Sequence, residues 1–97
     1  MKLAWTRVAR ADRKAIFEYI ALHNLDAAEN LDAKFSASAG RLLSHPDLGR
    51  IGRVEGTREL VPHRNYILVY DIHNDTIRVL RVLHTARRWP PAIPHRP

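Results

Sequence analysis

Arginine side chains cluster in the second half of this 97-residue sequence, close to a histidine and a tryptophan. The densest basic stretch contains Arg58, Arg78, Arg81, Arg87 and Arg88. A planar guanidinium group donates forked hydrogen bonds to phosphates and carboxylates, and a tryptophan can stack on a base or cover an interface. We therefore predict that an anionic partner is contacted by Arg58, Arg81, Arg87, Arg88 and Trp89.

His84 ends the longest predicted strand, three residues before Arg87. An imidazole titrates near neutral pH and could transfer protons during RNA cleavage. If the protein is a ribonuclease, His84 is therefore a candidate general acid or base, with Arg87 beside it. No second proton-transfer residue is identifiable beside His84, which favours a histidine that caps the sheet through a backbone hydrogen bond.

The segment Gly49-Arg50-Ile51-Gly52-Arg53 is a second basic feature. Its amides and guanidinium groups could bind phosphate, but it lacks the lysine and Ser/Thr of a P-loop. A basic connection from a helix to the sheet is the favoured alternative. The sequence has no cysteine, and its histidines lack metal-site spacing, so we expect neither a metal nor another cofactor.

Composition narrows the class of protein. The chain is 45% apolar and 27% charged, as in an ordinary globular domain, and its length fits one domain. A net charge of +6 points to nucleic acid or an acidic protein as partner. No apolar run has the length of a membrane span or of a signal-peptide core, so we expect a cytoplasmic protein that does not bind membranes.

Apolar periodicity predicts a strand, a helical hairpin and three further strands, over 2–6, 9–24, 26–44, 57–61, 66–72 and 76–84. We expect Asn24 to end the first helix in a left-handed conformation and Asp26 to cap the second. Alternation in the strand at 66–72 places Tyr66, Leu68 and Tyr70 on one face, where helix residues such as Phe35 are expected to pack. Strict alternation in the last strand places Arg81 on the same face as Ile77 and Val79. The order β-α-α-β-β-β predicts a two-layer α+β domain, with the hairpin packed on an antiparallel sheet. This domain would span residues 1–90, followed by a flexible proline-rich tail at 91–97.

Four motifs follow the helical hairpin: Gly49-Arg50-Ile51-Gly52-Arg53, Gly56-Thr57-Arg58-Glu59-Leu60-Val61, Tyr66-Ile67-Leu68-Val69-Tyr70, and Ile77-Arg78-Val79-Leu80-Arg81-Val82-Leu83-His84-Thr85-Ala86-Arg87. With them the sequence resembles the RelE/ParE superfamily, the toxins of bacterial type II toxin–antitoxin modules. The resemblance covers about residues 3–90. It implies the RelE/ParE-like fold, in which a helical hairpin packs on the sheet.

The superfamily holds two activities on one fold. RelE-like members cut mRNA in the ribosome with lysines, arginines and a tyrosine near the end of the chain, whereas ParE-like members bind DNA gyrase. In this sequence Arg58 and Arg87 match two of the catalytic cations. Leu60 and Ile67 replace two others, and Ile93 stands where the tyrosine would be. The resemblance therefore favours the ParE-like branch.

Together these observations predict the toxin of a type II toxin–antitoxin module, which inhibits growth by binding DNA gyrase. An acidic antitoxin is expected to neutralise it, because a sheet edge can accept a strand, an apolar groove can accept a helix, and the net charge is positive. One alternative is a ribosome-dependent mRNA endoribonuclease of the RelE type, for which the resemblance implies Arg58, His84 and Arg87 as the candidate catalytic residues. A second is a small basic nucleic-acid-binding module. Whether the protein is an enzyme stays open at this point.

Overall fold

The computed structural model describes residues 1–91, which form a five-stranded sheet with two helices on one face. The elements are β1 (Lys2–Trp5), α1 (Arg7–Ala21), α2 (Leu25–Arg41), β2 (Arg50–Ile51), β3 (Arg58–His63), β4 (Tyr66–His73) and β5 (Thr76–His84). The predicted α+β class and helical hairpin are confirmed. The predicted tail at 91–97 lies, apart from Pro91, outside the described residues.

The sheet is mixed, with the strand order β1-β5-β4-β3-β2. The pairings β2–β3, β3–β4 and β4–β5 are antiparallel, as predicted for the last three strands. β1 instead runs parallel to β5, with Leu3 opposite Ile77. The antiparallel sheet of the prediction is thus extended by a parallel strand on one edge and by β2 on the other. Strand β2 was not predicted, because its two residues are too few to show a periodic pattern.

Polar side chains cap the starts of both helices. Thr6 Oγ1 accepts a hydrogen bond from the Ala9 amide at 3.1 Å and begins α1. Asn24 Oδ1 accepts one from the Ala27 amide at 3.0 Å and begins α2. Asn24 has an extended backbone (φ −159°), so the prediction that it ends α1 in a left-handed conformation, with Asp26 as the cap of α2, is wrong. In the described residues no helix is long and apolar enough to cross a membrane.

The main core lies between the helices and the sheet. Phe35 of α2 is 1% exposed and meets the ring of Tyr66 edge-on, with 5.5 Å between the ring centroids. Leu68 and Tyr70 join the same cluster, as predicted, together with Leu31, Leu42, Ile77, Val79 and Val82 and with the partly buried Ile16 and Ile20. The intervening β4 residues, Ile67 and Val69, lie on the opposite face of the sheet, called here the far face.

A β-bulge changes which side chains of β5 reach the core. Val69 of β4 lies opposite Arg81, whereas the next residue of β4 lies opposite Val79, so Leu80 is an extra residue in β5. Strict alternation predicted Arg81 on the same face as Ile77 and Val79, and this is wrong. Val82 occupies the core side after the bulge, and Arg81 lies beside Val69 on the far face.

Candidate target-binding surface

A row of side chains crosses the far face from β2 to β5. Arg50, Glu59, Val69 and Arg81 lie opposite one another on consecutive strands, and directly paired residues share one face of a sheet. We call these four residues the cross-strand row. Neighbouring strands are about 4.8 Å apart, so Glu59 and Arg81 are separated by about 10 Å with Val69 between them.

Glu59 is the functional residue that the sequence analysis missed. It is 2% exposed, and burial of a carboxylate requires hydrogen bonds or opposite charges. Its Oε2 accepts a hydrogen bond from the Arg53 amide at 3.0 Å, and its Oε1 accepts one from Arg50 Nη2 at 3.2 Å. Arg53 Nε lies 3.8 Å from Oε1. Glu59 therefore fixes the basic segment predicted as a phosphate-binding loop or a plain connection. No local pattern identified Glu59, because it follows Arg58 in the sequence and its burial arises from pairing with the neighbouring strands.

Arg81 is held by Asp12 of α1 in a two-pronged ion pair. Arg81 Nε donates to Asp12 Oδ2 at 2.8 Å, and Nη2 donates to Oδ1 at 3.1 Å. Both side chains are largely buried, at 17% and 13% exposure. The arginine inside an apolar strand is therefore compensated within the chain, at a separation of 69 residues that no local pattern could reveal.

Asp12 also completes the edge of β5 where β1 has ended. Thr6 still follows β5, because its amide donates to Val79 O at 3.0 Å and its hydroxyl donates to Leu80 O at 3.1 Å. Beyond that point Asp12 Oδ2 accepts a hydrogen bond from the Val82 amide at 2.9 Å. A helix side chain thus satisfies a backbone donor that a strand would otherwise pair.

Trp89 contacts Arg81 of the cross-strand row and Arg53 of the segment that Glu59 holds. Arg81 Cζ is 5.6 Å from the centroid of its ring, within the range of a cation–π contact. Arg53 Nη1 donates to the Trp89 carbonyl at 3.4 Å. The indole Nε1 is buried and has no hydrogen-bond partner in residues 1–91. The structure thus brings two of the predicted contact residues, Arg81 and Trp89, together.

His84 organises the turn that leads from β5 to Trp89. Its Nδ1 accepts a hydrogen bond from the Ala86 amide at 3.0 Å, and its carbonyl accepts one from the Arg87 amide at 2.9 Å. Its ring meets Tyr66 edge-on at 5.2 Å. This is the backbone-capping arrangement that the sequence favoured over a proton-transfer role.

Arg87 and Arg88 extend from this turn into solvent. Both side chains are exposed, and neither makes a hydrogen bond or ion pair within the described part of the chain. Two adjacent guanidinium groups are therefore available for an anionic partner. Residues 84–89, with the capped turn at one end and Trp89 at the other, are called here the arginine arch.

Arg58 lies apart from that arch, beside the loop that leads into β2. Its Nη1 donates to Gly49 O at 2.7 Å and to Asp47 O at 3.3 Å. The neighbouring Tyr70 hydroxyl donates to Pro46 O at 2.7 Å and accepts from the Gly49 amide at 3.0 Å. Burial raises the pKa of Tyr70, although the Gly49 amide and the Arg58 charge act in the opposite direction. Arg58 and Tyr70 together anchor this loop.

The strand register separates the candidate catalytic residues. Arg58 pairs with Tyr70 and His84 pairs with Tyr66, at positions about 13 Å apart along β4. His84 and Arg87 share the turn, but Arg58 lies on the other side of β4. Within residues 1–91, no group of three His, Asp or Glu side chains has the arrangement of a metal site.

The positions where the superfamily resemblance would require cations are apolar and packed. Leu60 packs against the main core, and Ile67 is 1% exposed on the far face. Neither side chain could stabilise the charge that develops on a phosphate during RNA cleavage. Residues 1–91 therefore present exposed arginines suited to binding anions, and within this range no assembled set of residues for acid–base chemistry is found.

Comparison with known proteins gives one family and several relatives. The family model described as the ParE toxin of the type II toxin–antitoxin system parDE matches residues 3–89. Y4kP, a toxin candidate of Sinorhizobium fredii, is 34% identical over 90 residues, covering 92% of this chain and 93% of that protein. Toxin RelE2 of Caulobacter vibrioides is 30% identical over 86 residues, covering 89% and 97%.

A solved structure shows the same fold. A chain of the chromosomal ParDE toxin–antitoxin system from P. aeruginosa superposes with a TM-score of 0.76 at 27% sequence identity. The match covers 87% of this chain and 95% of that one. The helical hairpin and the mixed sheet thus agree with a toxin–antitoxin structure over nearly their full extent.

Proposed function

Because the chain belongs to the ParE toxin family of type II toxin–antitoxin systems, we propose that it stops growth by binding DNA gyrase and is neutralised by an acidic antitoxin. Binding, rather than RNA cleavage, is the mechanism that the site geometry supports. The arginine arch presents Arg87 and Arg88 to an anionic surface, and planar guanidinium groups make two-pronged contacts with carboxylates and phosphates.

One observation carries the choice of binding over catalysis. Leu60 and Ile67 are packed apolar residues at the positions where the RelE-like ribonucleases would have cations. Arg58 donates to the carbonyls of a loop, and His84 Nδ1 accepts from a backbone amide. A ribonuclease needs charge stabilisation and proton transfer around one phosphate, whereas these groups are engaged in separate parts of the fold.

Substitution of His84 separates the two mechanisms. Loss of a general acid or base typically lowers a rate about 10²–10⁴-fold, so His84→Ala would abolish a ribonuclease toxin. For a binding toxin we expect His84→Ala to retain growth inhibition in an induced bacterial culture. The paired substitution Arg87→Ala, Arg88→Ala should weaken inhibition more than His84→Ala does. Circular dichroism of each variant confirms that the loss is not unfolding.

The target is tested with purified components. We expect the protein to inhibit supercoiling of relaxed plasmid by DNA gyrase, and the Arg87→Ala, Arg88→Ala variant to require a higher concentration for the same inhibition. Primer extension on mRNA in translating ribosomes is the parallel assay. Cleavage at defined ribosomal A-site positions, with gyrase unaffected, would replace this proposal with the RelE-type activity.

Charge and surface shape support an acidic antitoxin as partner. The net charge is +6, and a groove of about 380 Å³ lies between the helical hairpin and the turn joining β3 to β4, lined by Ile20, Leu31, Lys34 and Tyr66 among others. The exposed apolar side chains Tyr19 and Leu22 stand at the tip of the hairpin. An amphipathic acidic helix would match this combination of apolar and basic surface.

Antitoxin neutralisation predicts a salt-dependent association rate. Opposite charges accelerate encounter at low ionic strength, and salt screens them over about 8–10 Å at physiological concentrations. We expect co-expression of the cognate antitoxin to restore growth, and the association rate measured by stopped flow to fall as salt rises. A rate that is constant from low to near-molar salt would remove the electrostatic part of this proposal.

A further inference from the structure

We propose that Trp89 is a positioning residue, which Arg53 and Arg81 hold against the cross-strand row so that Arg87 and Arg88 are presented together. This inference rests on the proposed function only in assigning target binding to the two exposed arginines. The position of Trp89 itself depends only on its contacts on the far face. Trp89 would thus act on the target through the arginine arch rather than by direct contact.

Two independent contacts hold Trp89, one to its ring and one to its backbone carbonyl. Arg81 approaches the indole ring, with Cζ at 5.6 Å from its centroid, and is itself immobilised by the two hydrogen bonds to Asp12. Arg53 donates to the Trp89 carbonyl at 3.4 Å, and its own amide is bound to the buried Glu59. Each contact to Trp89 is modest, but both arginines are held by carboxylates that are 13% exposed or less.

The other end of the arginine arch is fixed by His84. The Thr85 amide donates to Asn65 O at 2.8 Å, and the Ala86 amide donates to His84 Nδ1. Arg87 and Arg88 are therefore bracketed within a short segment that is attached at both ends. Holding a segment in its binding conformation lowers the entropy lost on association, so the anchor at Trp89 should strengthen contacts made by its neighbours.

The unpaired indole nitrogen indicates which part of Trp89 anchors the arginine arch. Because Nε1 makes no hydrogen bond within residues 1–91, the ring and the backbone carbonyl perform the anchoring. Trp89→Phe keeps an aromatic face for Arg81 and the carbonyl for Arg53. We therefore expect Trp89→Phe to preserve growth inhibition, whereas Trp89→Ala should weaken it.

Amide hydrogen exchange of the free full-length protein tests the anchor without reference to any target. Arg53→Ala removes the hydrogen bond to the Trp89 carbonyl. Arg50→Ala is its matched control, because Arg50 also binds Glu59 but does not contact Trp89. We expect Arg53→Ala to accelerate exchange within residues 86–89 about fivefold, the loss expected for a contact of this strength, and Arg50→Ala to leave it unchanged. Equal exchange in the wild type and Arg53→Ala would overturn the inference.

A double-mutant comparison separates positioning from direct contact. Growth inhibition is measured as the inducer concentration that halves the growth rate, for Trp89→Ala, Arg87→Ala and the combined variant. If Trp89 acts through Arg87, its substitution will have a smaller effect in the Arg87→Ala background than in the wild type. Fully additive effects would show that Trp89 contacts the target itself and would overturn the inference. A wild-type protein that does not inhibit growth would refute the proposed function, and amide exchange would still decide the role of Trp89.

Discussion

The two faces of the sheet are organised by different forces. On the helix-covered face, buried apolar side chains such as Phe35, Leu68 and Tyr70 form one continuous cluster. On the far face, Val69 is also fully buried, but it lies between the charged residues Glu59 and Arg81. The hydrophobic effect between apolar side chains is not directional, whereas an ion pair stabilises only when its charged groups are correctly positioned.

This contrast explains which face carries the candidate function. A core of apolar contacts tolerates changes at its margins and gives the small domain its stability. The far face uses carboxylates to hold arginines in place, and those arginines in turn hold Trp89 beside Arg87 and Arg88. Stability is thus concentrated on one face, and the placement of binding groups on the other.

The largest expected effect is on the helix-covered face. Phe35→Ala should lower the free energy of unfolding by about 3–5 kcal/mol, because it removes a buried aromatic ring and leaves a cavity. Urea unfolding monitored by circular dichroism measures this change. Leu22→Ala, at a side chain that is 77% exposed, is the control and should have little effect. Similar losses for both variants would contradict the assignment of the core.

A smaller effect is expected from the ion pair that supports the far face. Asp12→Ala leaves Arg81 and the Val82 amide without their acceptor, which should cost about 2 kcal/mol in the same unfolding measurement. The combined variant Asp12→Ala, Arg81→Met should recover part of this loss, because it also removes the uncompensated charge. Identical stabilities for the single and double variants would show that the uncompensated Arg81 charge carries no cost.

The stability of the protein at alkaline pH tests the role of Tyr70, a buried residue with a hydroxyl group on the helix-covered face. Burial raises the pKa of Tyr70 above its usual 10.0, so the folded protein keeps this proton when the unfolded chain loses it. The stabilisation is present below pH 10 and is lost as pH rises through the folded pKa. Between pH 9 and 11.5, wild-type stability should therefore fall more steeply than that of Tyr70→Phe. Parallel curves would indicate that Tyr70 does not contribute to the pH dependence.

The smallest effect is expected at an exposed ion pair on the same strand as Arg81. Arg78 binds Asp71 with two hydrogen bonds of 2.8 and 2.6 Å, nearly the same geometry as Arg81 with Asp12. Arg78 is 42% exposed, however, so solvent screens its charge. Asp71→Ala should shift the urea midpoint much less than Asp12→Ala. Comparable shifts would mean that burial does not distinguish the two pairs.

Local patterns were sufficient to predict most of the helix-covered face. Ile16, Ile20, Leu31 and Phe35 recur at helical spacing, and the alternation in β4 placed Tyr66, Leu68 and Tyr70 toward them. Such periodicities depend only on residues that are close in sequence, so they can be recognised without knowing the fold. The cap of α2 was misassigned because both Asn24 and Asp26 are favourable capping residues, and only the backbone conformation distinguishes them.

The far face could not be predicted in the same way. The bulge at Leu80 arises from the pairing of β4 with β5, and the Asp12–Arg81 contact joins residues 69 positions apart. Glu59 appeared as an ordinary charge in a strand, although its burial makes it the anchor of Arg50 and Arg53. These features depend on tertiary pairing, which leaves no periodic signal in the sequence.

The parallel pairing of β1 with β5 has a consequence for the time at which the domain can form. Lys2–Trp5 is synthesised before its pairing partners, residues 76–79, which follow it by more than 70 positions. The helical hairpin forms from local contacts, whereas closing so long a loop must precede any contact between β1 and β5. A ribosome making this chain therefore synthesises both helices and the strands β2, β3 and β4 before β1 can join the sheet.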